Sequence, residues 1–305
     1  MSLLKLVVSI FLSVHTFLYH PSPMAMPIYR PVDLGLEKKV TLPVKQNSSV
    51  PIVRAQSALV IDQESGEELF TKSSDIQLFP ASTTKIMSAL VALERMDAKT
   101  VVTVPMNIPR EGRVIHLIPG EQLTVKNLIE AMLIHSGNDA AVLLAQSYPG
   151  GPTEFVKAMN ETAALLHMDK TNYQNSSGLF DPRHVTSVRD LLILSRAAMQ
   201  RSEFRAIVAE SKKTITSIDG QYSHELESTN KLLGKIDGME GIKTGWIEEA
   251  GECFVTQVTR DGHTILIALL NSPDRFGEAT TLIEWVYQNH IWETKTINEW
   301  IDNKK

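Results

Sequence analysis

Strand-like segments stand at both ends of the chain and helical ones fill the stretch between, and this distribution narrows the possible folds more than any other feature. Near the beginning, "AQSALVID" and "ESGEELFTK" flank a turn at Ser65 and Gly66, the pattern of a hairpin. Toward the end come "KKTITSI", the Asp219-Gly220 turn, "QYSHELES" and "GIKTGW". "CFVTQVT" and "TILIALL" then close around Asp261-Gly262, a two-residue hairpin signal. Between these segments, apolar periodicity predicts helices over 82–95, 124–135, 139–146, 153–167, 187–200 and 203–210, and a last helix runs over 277–288. The pattern predicts one sheet assembled from distant segments, with helices on its faces and a helical insertion between, which is the α/β (α+β) class.

Composition excludes several functions. Of the 305 residues, 43% are hydrophobic and 21% charged, enough for a sizeable core without metals or disulfides. The balance of 30 Lys+Arg against 35 Asp+Glu gives a net charge of -5 with no basic stripe, so nucleic acid is not an expected partner. Cys253 is the only cysteine, so it forms no intrachain disulfide and says nothing about compartment. The nine histidines form neither His-Glu-x-x-His nor a close cluster, and no metal site is expected.

The amino terminus points outward from the cytoplasm. Lys5 precedes a run from Leu6 to Tyr19 that is apolar apart from Ser9, Ser13, His15 and Thr16. It is shorter than the roughly 20 residues of a comfortable membrane span. Residues 1–20 are therefore expected to be a secretory signal peptide or a retained anchor, with possible membrane attachment through them. Residues 21–53 are rich in proline and polar residues and are expected to be a linker. The folded domain is expected over 54–295, with 296–305 as a tail.

Ser-x-x-Lys occurs at Ser2, Ser82 and Ser228, but only Ser82 opens a long helical pattern. Residues three apart on a helix are neighbours, so Lys85 would sit within reach of the Ser82 hydroxyl. The run Ile86 to Leu93 is apolar nearly all round and should be buried. A lysine at its start would be desolvated, its pKa lowered, and the amine free to serve as a base. The plainer alternative is that Ser82 caps the helix and Lys85 lies on the surface.

Two further motifs bear on that choice. Ser136, Gly137 and Asn138 form a tight turn between helices, and Lys243, Thr244 and Gly245 lie on a strand. Each has an ordinary structural reading: the first as helix caps, the second as an edge strand with a bulge at its glycine. Ser-x-x-Lys, Ser-x-Asn and Lys-Thr-Gly in this order, however, are the set found in penicillin-binding proteins and class A β-lactamases.

With these motifs the chain resembles the low-molecular-weight penicillin-binding proteins, specifically the serine-type D-Ala-D-Ala carboxypeptidases of the S11 peptidase family. The likeness runs from about Ala55 to Trp292. It includes "PGEQLTVKNLIEAMLIHSGNDAA", "TNYQNSSGL", "STNKLLGKIDGMEGIKTGW" and "IALLNSPDRFGEA". The resemblance implies a β-lactamase/transpeptidase-like fold, an antiparallel sheet flanked by helices with a mainly helical subdomain. It implies catalysis by Ser82 as acylated nucleophile, Lys85 as general base and Ser136 as proton relay. Asn138 would hydrogen-bond the substrate backbone, Lys243 and Thr244 would bind the terminal carboxylate, and Gly245 would let substrate approach. The N–H groups of Ser82 and Trp246 would form the oxyanion hole.

The implied substrate is the D-Ala-D-Ala end of the peptidoglycan stem peptide, with β-lactam antibiotics as inhibitors and no cofactor. The alternatives are a D,D-endopeptidase on cross-links and a non-catalytic penicillin-binding protein. A β-lactamase fits less well, because "TNYQNSSGLFDP" has no acidic residue before Asp181 where a class A enzyme carries Glu-x-x-x-Asn. Family members often continue into a β-rich domain and an amphipathic membrane helix, whereas this sequence runs only about a dozen residues past Trp292. Membrane attachment is therefore expected at the amino-terminal side. Arg275 could reach the substrate carboxylate or lie on the surface of the last helix. His135 and His184 are expected to fill turns, Cys253 to be a small core residue, and Trp246 to wall the groove or pack.

Overall fold

A computed structural model describes residues 39–47 and 49–296. In chain order the elements begin with β1 (Lys39–Lys45), β2 (Ser57–Asp62), β3 (Glu68–Lys72) and a short 3-10 turn (Ala81–Thr84) leading into α1 (Lys85–Arg95). Next come β4 (Val101–Thr103), β5 (Gln122–Thr124), α2 (Val125–Ile134), α3 (Asn138–Gln146), α4 (Gly151–Leu165), α5 (Val188–Met199) and α6 (Ser202–Val208). The chain closes with β6 (Lys212–Thr216), β7 (Ser223–Glu227), β8 (Lys243–Ile247), β9 (Gly251–Arg260), β10 (His263–Ser272), α7 (Arg275–Asn289) and β11 (His290–Thr296).

The main sheet is antiparallel throughout, in the order β3-β2-β10-β9-β8, and so joins the two ends of the chain as expected. β10 shows why its sequence is a continuous apolar run. Leu266, Ala268 and Leu270 face the core beneath the helical region, while Ile265, Ile267 and Leu269 face a second core under α7. Successive side chains on a strand point to opposite faces, and both faces here are covered. α1 runs through the larger core, and Ile86, Met87, Ala89, Val91 and Ala92 are all fully buried. A helix apolar on every side has no face to give to water.

Three expectations need correction. Residues 39–45, placed in the linker, form β1, which pairs along its length with β11 from Lys39↔Thr296 to Lys45↔His290. Pro43 hid this strand, since proline cannot donate to a ladder; a two-stranded ribbon has only edges and tolerates it. The helix expected from Ser82 begins at Lys85. Ser82 lies in the 3-10 turn, and no side chain caps either segment, so the capping reading fails. β6 and β7 form a separate hairpin rather than joining the main sheet. The signal or anchor at 1–20 lies outside the described residues. No helix among the described residues is long and apolar enough to cross a membrane.

Candidate active site

The 3-10 turn carrying Ser82 is pressed against β8, the sheet's edge strand. A Cβ on Gly245 would stand 3.0 Å from the Ser82 nitrogen and 3.0 Å from the Pro80 carbonyl oxygen, so only glycine permits this approach. From the other side, Gly178 has φ +84, and a Cβ there would fall 1.9 Å from the Ala81 carbonyl oxygen. The serine's backbone is thus wedged between two glycines that sequence reading places far apart.

Lys85 is fully buried, which corrects the surface alternative. Its Nζ lies 2.7 Å from Ser82 Oγ, 2.7 Å from Asn138 Oδ1 and 2.6 Å from the Ser177 carbonyl oxygen. Burial lowers its pKa to about 7, with the Asp139 carboxylate opposing part of the drop. Two of its partners, an amide oxygen and a carbonyl, can only accept hydrogen bonds. A neutral amine therefore gives its two N–H groups to Asn138 and Ser177 and turns its lone pair toward Ser82, the one partner with a proton to lose. This is the geometry of a general base on a nucleophile.

Asn138 is committed on both sides of its amide, since Nδ2 donates to the Glu111 carbonyl at 2.8 Å. Its backbone N–H donates to the Arg113 carbonyl at 2.7 Å. Asp139, fully buried, accepts from the N–H groups of Ile115 and Leu117, each at 3.1 Å. The start of α3 thereby holds the 111–117 loop as one wall of the site. Ser136, with φ +65, and Asn138 both line the resulting cleft, which holds about 720 Å³. Among the described residues no hydrogen bond joins the Ser136 hydroxyl to either lysine.

On the opposite wall, Thr244, Gly245 and Trp246 line the cleft, and Trp246 is 61% exposed. The Thr244 and Thr229 hydroxyls are hydrogen-bonded at 2.6 Å. Lys243 lies behind this wall, buried, with Nζ donating to the Thr244 carbonyl at 3.0 Å. Its burial, reinforced by the charges of Lys85, Arg113 and Arg275, holds its pKa well below the usual lysine range. Arg275 also faces the cleft, its Nη1 donating to the Gly245 carbonyl at 2.7 Å.

Sequence reasoning missed Ser177 as an acceptor for Lys85, Asp139 as the anchor of the loop, and Arg113 on the wall. Ser177 acts through its main chain, and an aspartate in the first turn of a helix looks like ordinary dipole complementation. His184 fills a turn as expected, but beneath the segment that carries Ser82. Its Nδ1 accepts from the Gln174 N–H, so Nε2 donates to Thr84 Oγ1 at 2.8 Å, and burial lowers its pKa to about 4. The Ser-x-Asn rival at Ser228 is structural in part, because buried Asn230 donates to the Gly241 carbonyl, although Ser228 borders the cleft.

Residues 44–274 match the family model described as Peptidase_S11, D-alanyl-D-alanine carboxypeptidase. D-alanyl-D-alanine carboxypeptidase DacB2 of Mycobacterium tuberculosis is 33% identical over 253 residues, 79% of this chain and 86% of that protein. DacF of Bacillus subtilis is 30% identical over 77% of this chain, which spans only 63% of DacF. A D-alanyl-D-alanine endopeptidase of Pseudomonas aeruginosa is 30% identical over 88% of this chain and 87% of its own length. The crystal structure of the Streptomyces K15 DD-transpeptidase superposes with a TM-score of 0.75 at 28% identity, covering 79% of this chain and all of that one. The α/β architecture with its antiparallel sheet is thus shared with a DD-transpeptidase. A match over most of the chain, around a buried lysine aimed at a serine, establishes that the chain belongs to the S11 peptidase family of D-alanyl-D-alanine carboxypeptidases.

Proposed function

We propose that the protein is an extracytoplasmic serine D,D-carboxypeptidase that removes the terminal D-alanine from peptidoglycan stem peptides through an acyl-enzyme on Ser82. The observation that carries this reading is the Lys85 amine, held by two obligate acceptors with its third direction on Ser82 Oγ. Ser82 Oγ attacks the carbonyl between the two terminal D-alanines as its proton passes to Lys85 Nζ. The Ser82 and Trp246 N–H groups receive the oxyanion. Collapse breaks the C–N bond, a proton reaches the leaving amine by way of Ser136, and D-alanine departs. Water, deprotonated by Lys85, then hydrolyses the ester and frees Ser82.

Support for the binding mode comes from topology. β8 is an edge strand, so an extended peptide can add to it by main-chain pairing. Thr244 and Arg275 meet the terminal carboxylate, and Lys243 adds positive potential from behind the strand once substrate charge favours its protonation. Asn138 acts chiefly by orienting Lys85, with its substrate contact secondary. β-Lactams acylate the same serine. Residues 1–20 serve as signal or anchor, consistent with a substrate outside the cytoplasm.

The test is incubation with a penicillin and with a D-Ala-D-Ala peptide, alongside Ser82→Ala. The wild type should give a stable adduct by mass and release D-alanine, and the variant neither. D-alanine release by Ser82→Ala would overturn the mechanism. Likeness to an endopeptidase favours a second reading, action on cross-links. Faster cleavage of a cross-linked dimer than of a pentapeptide would establish it.

A further inference from the structure

Arg113 lies in the cleft with no role in the acyl-transfer steps. Its Nε donates to the His135 carbonyl at 2.7 Å, which fixes the plane of the guanidinium. Among the described residues neither Nη group is hydrogen-bonded and no carboxylate pairs with the side chain. The mount is rigid: the Arg113 carbonyl is held by the Asn138 N–H, and Asn138 and Asp139 tie the flanking residues to α3. An arginine anchored at Nε with two free Nη groups presents a ready fork to a carboxylate.

The charge around it points the same way. Arg113, Lys231 and Arg275 line the cleft against a single acid, Glu227, although the whole chain is acidic, with 30 Lys+Arg against 35 Asp+Glu. Glu227 is itself paired with Lys212 at 3.6 Å across the β6–β7 hairpin, and Arg275 has Glu252 at 3.9 Å, which leaves Arg113 and Lys231 as the cleft cations with no carboxylate partner among the described residues. The cleft therefore has positive potential beyond what a single terminal carboxylate calls for. Arg275 stands by Thr244, hydrogen-bonded to the Gly245 carbonyl on β8, whereas Arg113 stands on the other wall beside Asn138.

We propose that Arg113 reads a second carboxylate on the donor peptide, carried by a residue on the amino-terminal side of the D-Ala-D-Ala unit. The proposal rests on the carboxypeptidase reading and adds a substrate class to it: stem peptides whose preceding residue bears a free acid, preferred over those in which that acid is amidated.

The test uses the full chain and two peptides ending in D-Ala-D-Ala that differ only in a side-chain carboxylate or its amide just before that unit. The wild type should favour the acid by roughly 10-fold or more in kcat/KM, as for a charge-assisted hydrogen bond. Arg113→Gln should bring the ratio close to one by lowering the acid peptide alone, and Arg113→Lys should leave part of it. Stoichiometric penicillin labelling shows that each variant is folded. Equal losses on both peptides would place Arg113 on the terminal carboxylate and overturn the proposal, as would a preference that survives Arg113→Gln. Should no peptide be turned over, the carboxypeptidase reading fails separately. Protection of Ser82 from penicillin then reads binding, and equal protection by acid and amide peptides would likewise overturn the proposal.

Discussion

At the residue scale the proposed chemistry depends on Lys85, whose amine burial brings to a pKa of about 7. Below a pKa of about 7 the Lys85 lone pair carries a proton and cannot take one from Ser82. Acylation by penicillin should therefore fall about tenfold per pH unit below 7 and level off above it, read as kcat/KM against pH. A flat profile between pH 5 and 8 would remove Lys85 as base. Asp139 raises this pKa, so Asp139→Asn should shift the midpoint toward acid. The same substitution sets an amide N–H against a backbone N–H it now accepts from, at about 1–3 kcal/mol of stability. Gly178→Ala is a different kind of change: φ +84 and contact with the Ala81 carbonyl are both backbone constraints. It should cost about 3 kcal/mol or more and depress penicillin acylation, because the displaced carbonyl belongs to the turn that carries Ser82.

At the scale of elements, what sequence revealed and what it hid divide along physical lines. Local patterns were legible. The hairpin at Ser65-Gly66, the hairpin at Asp261-Gly262 and the all-round apolar α1 each state their environment in a few consecutive residues. Contacts between distant segments were not. β1 finds its partner some 250 residues away, and nothing in "KVTLPVK" names it. Serine and lysine three apart on an apolar run suggested a desolvated pair, but the groups that hold Lys85 emerge only once α3 and the 174–178 segment close around it. Main-chain acceptors such as the Ser177 carbonyl carry no side-chain signature at all. Gly245 read as room for substrate, and the fold shows an earlier demand on it, the seat of the 3-10 turn. Gly245→Ala should accordingly lower thermal stability as well as acylation, whereas a residue serving substrate alone would leave Tm unchanged.

At the scale of the whole molecule, the β1–β11 ribbon stands apart from the chemistry. β11 and the first five of the seven residues of β1 lie outside the 44–274 segment that matches the family, and neither strand contributes to the cleft. The ribbon is fastened through Trp292, whose ring stacks on His263 at 4.4 Å and whose Nε1 donates to Asp62 Oδ2 at 2.9 Å. Tyr287 stands 5.7 Å away on the same ring. Trp292→Ala should thus cost about 2–3 kcal/mol, below the range for a fully buried tryptophan because the ring is only partly covered. For a domain of this size that is a fall of roughly 5–10 °C in Tm. A chain starting at Gln46, lacking β1, should also lose stability, since the pairing from Lys39 to Lys45 and burial of Leu42 go with it. The two losses should not add. Once Trp292 no longer ties β11 to β2 and β10, β1 pairs with a strand that is itself loose, so its removal in that background should cost less. Penicillin labelling of Ser82 at low temperature should remain stoichiometric in all three proteins, since the groups that seat Ser82, namely Gly178, Gly245 and Lys85, are untouched. Additive losses would mean that β1 stabilises the domain by contacts independent of Trp292, and lost labelling would mean that the ribbon helps shape the site.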